Sequence, residues 1–148
     1  MSIKNKMGFT LIELLVVIAI VGILGAIAVS MYGKQYIIKA RLTEITESMS
    51  VVASAVAAYY QENESFPANV PVGMIRDSLG VALPDWNLTA RFSDMNVVAG
   101  VITATVARIA DEVNTRTLVL RPTTTSDGAI RWDWDHASTI QSIYIPKR

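Results

Sequence analysis

The chain has 148 residues, with 13 basic and 13 acidic side chains, one histidine and no cysteine. That length suits one domain, the balanced charge excludes bulk electrostatic attraction to nucleic acid, and the lack of thiols excludes disulfides, thiolate metal sites and cysteine nucleophiles. The hydrophobic fraction of 51% is high for a soluble domain, and an N-terminal run carries much of the excess.

Lys4 and Lys6 precede that run. From Leu14 to Met31 there are 18 residues without a charge, about the minimum length of a membrane-spanning segment. Glu13 stands at its head, and a carboxylate beside an apolar run calls for a partner. The lysines ahead of the run place the leader on the cytoplasmic side and the remainder outside. An ordinary secretory signal is the plain alternative, with Ala26-Ile27-Ala28 as its cleavage site. Against it, a carboxylate opens the apolar core and helical periodicity runs straight through the supposed cut. N-terminal sequencing tests that cut, which would leave Val29 first.

The helix continues beyond the apolar run. Ile38, Leu42, Ile45, Met49, Val52, Val56 and Tyr59 recur at steps of four and three, which puts them on one stripe, with Lys39, Arg41, Glu44, Glu47, Ser48 and Ser50 off it. Such a stripe fits a coiled coil or a helix laid across a sheet, and the strand signals that follow favour the sheet. A continuous helix from Phe9 to Tyr60 would be about 78 Å long, its first half projecting from a globular head. Gly22, Gly25 and Gly33 are its soft points.

Residues 61–67 end the helix, and Pro67 and Pro71 keep the next segment irregular. Met74 to Leu79 suits a short helical turn closed by Gly80. Pro84 to Asn96 reads as turn-rich, with Trp86 and Phe92 as anchors. Three strands are then expected: Val97 to Ile109 with a break at Gly100, Thr115 to Arg121, and Ala129 to Trp134 with Ile130, Trp132 and Trp134 on one face. The tail returns with Ile140, Ile143, Tyr144 and Ile145. The expected fold is therefore α+β, a long N-terminal helix packed on a small antiparallel sheet of three to four strands.

Gly8-Phe9-Thr10-Leu11-Ile12-Glu13, with basic residues upstream and an apolar helix downstream, resembles the prepilin signal of type IV pilins. Gly128-x-Ile130-x-Trp132 and the aliphatic-Tyr-x-Pro tail resemble, more weakly, the C-terminal third of the same family. The resemblance implies a leader, 1–8, removed between Gly8 and Phe9 by a prepilin peptidase that also methylates the Phe9 amine. It implies a transmembrane and filament-core helix, 9–32, and a globular head, 33–148, that includes the second half of the helix. The core helix would present Leu11, Ile12, Leu14, Leu15, Val16, Val17, Ile18, Ile20, Val21, Ile23, Leu24 and Ile27. Cleavage would create an amine on Phe9, four residues before Glu13 and on the same helical face. Glu13 would neutralise its own terminus or meet the Phe9 amine of a neighbouring subunit.

The implied protein is a pilus subunit of the short-leader class. It would be stored in the inner membrane as a single-pass protein with its C-terminus outside, then polymerised into an extracellular homopolymer by an assembly ATPase and a platform protein. Such filaments serve adhesion, twitching motility or DNA uptake, although the charge gives no support for nucleic acid as a partner. Three features depart from the family pattern. Met7 separates Lys6 from Gly8, Ala28-Val29-Ser30-Met31 stands where many pilins have a proline, and Trp134 and the Lys147-Arg148 end occupy places where cysteines usually sit. The C-terminal loop is then expected to be held by packing of Trp134, Ile143 and Tyr144.

No constellation suggests an enzyme, and no cofactor or metal is expected. His136 with Asp133 and Asp135 reads as a solvated loop, with a calcium site as the lesser reading, drawn from related secretion pseudopilins. Asn87-Leu88-Thr89 fits a glycosylation acceptor, a three-residue pattern common by chance. Tyr32, Tyr36, Tyr59 and Tyr60 read as packing residues and not as an electron path. The alternatives to the pilin are a minor pilin or type II secretion pseudopilin, and a membrane-anchored monomeric binding protein.

Overall fold

The computed structural model describes residues 9–146, so the leader, Gly8 and the terminal Lys147-Arg148 lie outside the described residues. The chain divides into two compact units, one ending at Ile37 and the other beginning at Ile38. One helix, α1 (Leu11–Asn63), supplies all of the described secondary structure of the first unit. It contains no proline, and its backbone stays helical through Ala28-Val29-Ser30-Met31. The Ser30 hydroxyl donates to the Ala26 carbonyl at 3.1 Å, so it is satisfied within the helix.

In the second unit the stripe does what its spacing predicts. Ile38, Leu42, Ile45, Met49, Val52 and Val56 are buried, while Tyr59 is half-buried. Each buried aliphatic contributes about 1.5–3 kcal/mol relative to exposure, and this row anchors the core. Helix α1 runs to Asn63, past Tyr60, and ends where Glu64 takes a positive φ of 53°. A 3-10 turn (Val72–Met74) leads into α2 (Ile75–Leu79), which Gly80 closes in the left-handed conformation, as expected.

The sheet has five strands, not three to four: β1 (Asn69–Val70), β2 (Phe92–Val98), β3 (Val101–Val106), β4 (Thr117–Thr124) and β5 (Ile130–Trp134). They form an antiparallel meander in chain order. The difference has two causes. Val97 and Val98 end a strand instead of starting one, because Ala99 (φ 49°) and Gly100 (φ 82°) form a two-residue hairpin turn between paired Val98 and Val101. Phe92 to Asn96 belongs to that same strand, although Ser93, Asp94 and Asn96 disguise it as a turn. A register shift between Phe92 and Asp94 lets Phe92, Met95 and Val97 all point inward, which strict alternation forbids. The other extra strand, β1, is a two-residue pairing with Val97 and Val98 beside Pro71.

Opposite the helix, Ile102, Ala104, Val106, Leu118 and Leu120 complete the core. Trp132 and Trp134 pack against it, as do Phe66, Trp86 and Ile145. Arg108 fastens the loop before β2: its Nε donates to the Ala90 carbonyl at 2.7 Å, and its Nη2 donates to Trp86 at 2.7 Å and Phe92 at 2.8 Å.

Among the described residues the tail adds no strand. Ser142–Tyr144 forms a 3-10 turn, Ile140 and Tyr144 are buried, and Ile143 is exposed, which corrects its expected packing role. Much of the fastening is polar instead. Asp135 N–H donates to the Val119 carbonyl at 2.9 Å, and Val119 N–H donates to Ser138 Oγ at 3.0 Å. Thr117 N–H donates to Thr139 Oγ1 at 2.8 Å, and Thr139 N–H returns to the Thr117 carbonyl at 3.0 Å. Arg121 pairs with Asp135 across the same edge.

Candidate functional site

Between Leu14 and Val29 helix α1 is hydrophobic all round, the pattern of a helix that is covered on every side. Leu11, Ile12, Leu14, Leu15, Val16, Val17, Ile18, Ile20, Val21, Ile23, Leu24 and Ile27 are all exposed, from 49% at Val16 to 87% at Leu11. A contiguous apolar surface of this extent is incompatible with a water-facing helix and requires lipid or protein around it. This segment is long and apolar enough to cross a membrane. A Cβ added at Gly22, Gly25 or Gly33 would meet no atom within 4 Å, so these glycines leave open ground for another surface to approach.

At the head of this surface, Thr10 and Glu13 are joined reciprocally. Glu13 Oε2 accepts from the Thr10 backbone N–H at 2.9 Å and from the Thr10 hydroxyl at 2.7 Å. The Glu13 N–H reaches back to Thr10 Oγ1 at 3.3 Å, and the Leu14 N–H to the Thr10 carbonyl at 3.3 Å. This is a capping box: it satisfies amides that the first helical turn leaves without partners, and it orients the carboxylate. Thr10 is the residue the sequence reading missed. Its signal was present, since Thr-x-x-Glu ahead of an apolar run is the sequence form of that cap. Glu13 thus has an intrachain partner, Thr10, distinct from either amine expected for it. Phe9 is 82% exposed, and Gly8 lies outside the described residues.

The C-terminal acids are engaged with neighbouring groups. Asp133 accepts from Arg131 Nε at 2.9 Å, and Asp135 accepts from Arg121 and from the Ala137 N–H, the latter at 2.9 Å. The Ala137 amide and then the Arg121 guanidinium hold the Asp135 carboxyl below its ordinary value. Among the described residues, no group of three or more His, Asp or Glu side chains is placed to hold a metal ion.

Residues 3–29 match the prokaryotic N-terminal methylation motif, and residues 38–148 match the family described as pilin (bacterial filament). The fimbrial protein EcpC of Eikenella corrodens is 34% identical over 142 residues, covering 94% of this chain and 87% of that one. The type IV major pilin protein PilE1 of Neisseria gonorrhoeae is 34% identical over 128 residues, covering 84% and 73%. The type IV major alpha-pilin of Moraxella bovis is 31% identical over 127 residues, covering 80% and 79%. The capped apolar helix coincides with the methylation motif, and the second match opens at Ile38, where the second unit begins. The chain belongs to the bacterial pilins, a family of structural filament proteins and not of enzymes.

Proposed function

We propose that this chain is the major structural subunit of a type IV pilus, stored in the inner membrane through the apolar part of α1 and polymerised through the same surface. The observation that carries this reading is the all-round exposed apolar helix headed by a single acid, in a family of filament proteins. Lipid covers that helix before assembly, and the helices of other subunits cover it afterwards. Because lipid tails are as apolar as leucine, the exchange draws on packing fit and polar pairing more than on the hydrophobic effect. Segment 1–8 is the leader, removed between Gly8 and Phe9, and 9–32 is the part that moves from lipid to filament core. Segment 33–148 is the head. The names of the relatives favour the major pilin over a minor pilin, a pseudopilin or an anchored monomer.

Within this reading Glu13 meets the methylated Phe9 amine of a neighbouring subunit and sets the axial register. The capping box supplies the competing explanation, in which Glu13 serves only its own helix start. Two substitutions separate them. Glutamine retains an acceptor for the Thr10 N–H and can serve a capping box, but carries no charge; alanine retains neither property. Glu13→Gln and Glu13→Ala are both expected to be exported and cleaved yet to build no homopolymeric filaments. The check is surface-filament yield, with Gly8–Phe9 cleavage confirmed in the same cells. Wild-type yield from cleaved Glu13→Gln subunits rejects the register role and leaves the cap.

A further inference from the structure

We infer that Asn87 is an acceptor for N-linked glycosylation, a site carried by the exposed turn between Asp85 and Ala90. The three-residue pattern Asn87-Leu88-Thr89 is a weak signal alone, and its context decides its value. The Asp85 carbonyl accepts the N–H groups of Leu88 at 3.3 Å, Thr89 at 2.9 Å and Ala90 at 2.9 Å, which folds the segment into one helical turn. The Asp85 carboxylate accepts the Asn87 N–H at 3.1 Å. Both ends of the turn are held from below, because Arg108 binds the carbonyls of Trp86 and Ala90 while Trp86 packs on the core and Ala90 is buried. What remains is a small platform of three exposed residues. Leu88 is 74% exposed at its tip.

A turn clamped at its base and bare at its tip suits a bulky hydrophilic adduct, because the attached saccharide displaces no packed side chain. The bonds that must open for a transferring enzyme to extend the tip are solvent-exposed: the Thr89 hydroxyl to the Asp85 carbonyl at 3.3 Å, and the Asn87 N–H to the Asp85 carboxylate. Such surface turns open locally without global unfolding. The donor class is a saccharide linked to a polyprenyl pyrophosphate. Asn87 Nδ2 forms a bond to the anomeric carbon, and the bond from that carbon to the phosphate oxygen breaks. The lipid pyrophosphate leaves with the electron pair, and one amide proton passes to a base of the transferring enzyme. The assignment rests on the reading above only in requiring that residues after the apolar run face outward, where such donors are used.

The test is peptide mapping of the full chain purified from its own cells. Trypsin releases Asp77–Arg91 as one peptide, which contains Asn87 together with two hydroxyl alternatives, Ser78 and Thr89. The expected result is a saccharide on that peptide, lost in Asn87→Gln and Thr89→Ala and retained in Thr89→Ser, which keeps the hydroxyl. An unmodified wild-type peptide overturns the assignment, as does a saccharide that persists in Asn87→Gln, which places it on Ser78 or Thr89. Because wild-type mapping needs no variant, a folding defect in a variant leaves the test decisive. Filaments on the same cells report separately on the pilin reading.

Discussion

Replacing Gly100 with alanine tests the turn at which, among the described glycines, an added Cβ meets its closest neighbour. Gly100 is the second residue of the turn between β2 and β3, with φ 82°. A Cβ there would lie 2.6 Å from both Cγ and Cδ1 of Phe66 and 3.1 Å from its Cβ. Phe66 is not free to retreat, because its ring stacks on Tyr60 with centroids 4.5 Å apart at the end of α1. Left-handed backbone disfavours a Cβ by ~1–2 kcal/mol, and forcing a packed ring aside adds ~1–3 kcal/mol, so the loss is roughly 2–5 kcal/mol. Gly128 separates the two contributions, since its φ of 81° matches while no atom lies within 4 Å of an added Cβ. Gly128→Ala should lose only the backbone part, about 1–2 kcal/mol. Gly73, with open space and no positive φ, should change by less than ~0.5 kcal/mol. The assay is urea unfolding of the full chain in detergent micelles, followed by tryptophan fluorescence. With a mid-range slope of ~2 kcal/mol per molar urea, the Gly100→Ala midpoint should fall by roughly 1–2.5 M. If Gly100→Ala and Gly128→Ala unfold together, the Phe66 contact imposes no constraint and the steric argument fails. A second check is Phe66→Leu, which should restore part of the Gly100→Ala loss through their coupling.

Three further outcomes are expected. Gly8→Leu should accumulate as a longer, membrane-retained precursor on immunoblots, and normal filaments from it would contradict cleavage at that junction. A fragment starting at Gly33 should be soluble and folded by near-ultraviolet circular dichroism and, lacking cysteine, indifferent to reductant; a molten product would mean that the apolar segment belongs to the core. The C-terminal loop, braced by Asp135, and the turn between β4 and β5, braced by Asp127, should loosen in acid. Asp135 is depressed in the folded chain by the Ala137 amide and Arg121, and Asp127 chiefly by the Thr125 hydroxyl, so their contribution is present above the ordinary aspartate value of ~3.9 and is lost as pH falls through the depressed values. Trp134 fluorescence should follow this loss, and Asp135→Asn should flatten it.

Much of this architecture is legible in the sequence because two periodicities are strong. The four–three spacing from Ile38 to Val56 specifies a buried face, and the alternation of Trp132 and Trp134 with charged residues marks a strand whose tryptophans pack on the core. Strand β2 is hidden because its inward residues, Phe92, Met95 and Val97, follow a bulge and not an alternation. Strand β1 is two residues set close to prolines, too short to carry a pattern. Within the site, Glu13 stands out as a lone acid ahead of an apolar run. Its bond to Thr10 is written in the Thr-x-x-Glu spacing, a local signal beside the longer-range one of an acid that needs a cation. The fastening of the tail was not readable, because nothing in the spacing of Ser138 and Thr139 says that they meet Val119 and Thr117.

That fastening bears on lateral association. Strand β5 pairs with β4 only from Leu120 to Thr124, so Thr117 and Val119 would otherwise present bare amides and carbonyls along an open margin. Exposed strand margins recruit other strands, in register or out of it. Here the amides are taken by two hydroxyls and the carbonyls by backbone N–H groups of 135 and 139, all within one chain. At the opposite margin, β1 offers only two residues. Under the reading proposed above, a subunit that polymerises through its helix gains from closing this stretch of β4, where a neighbour's strand can no longer add, and the outer side of β5 is left as the margin open to addition.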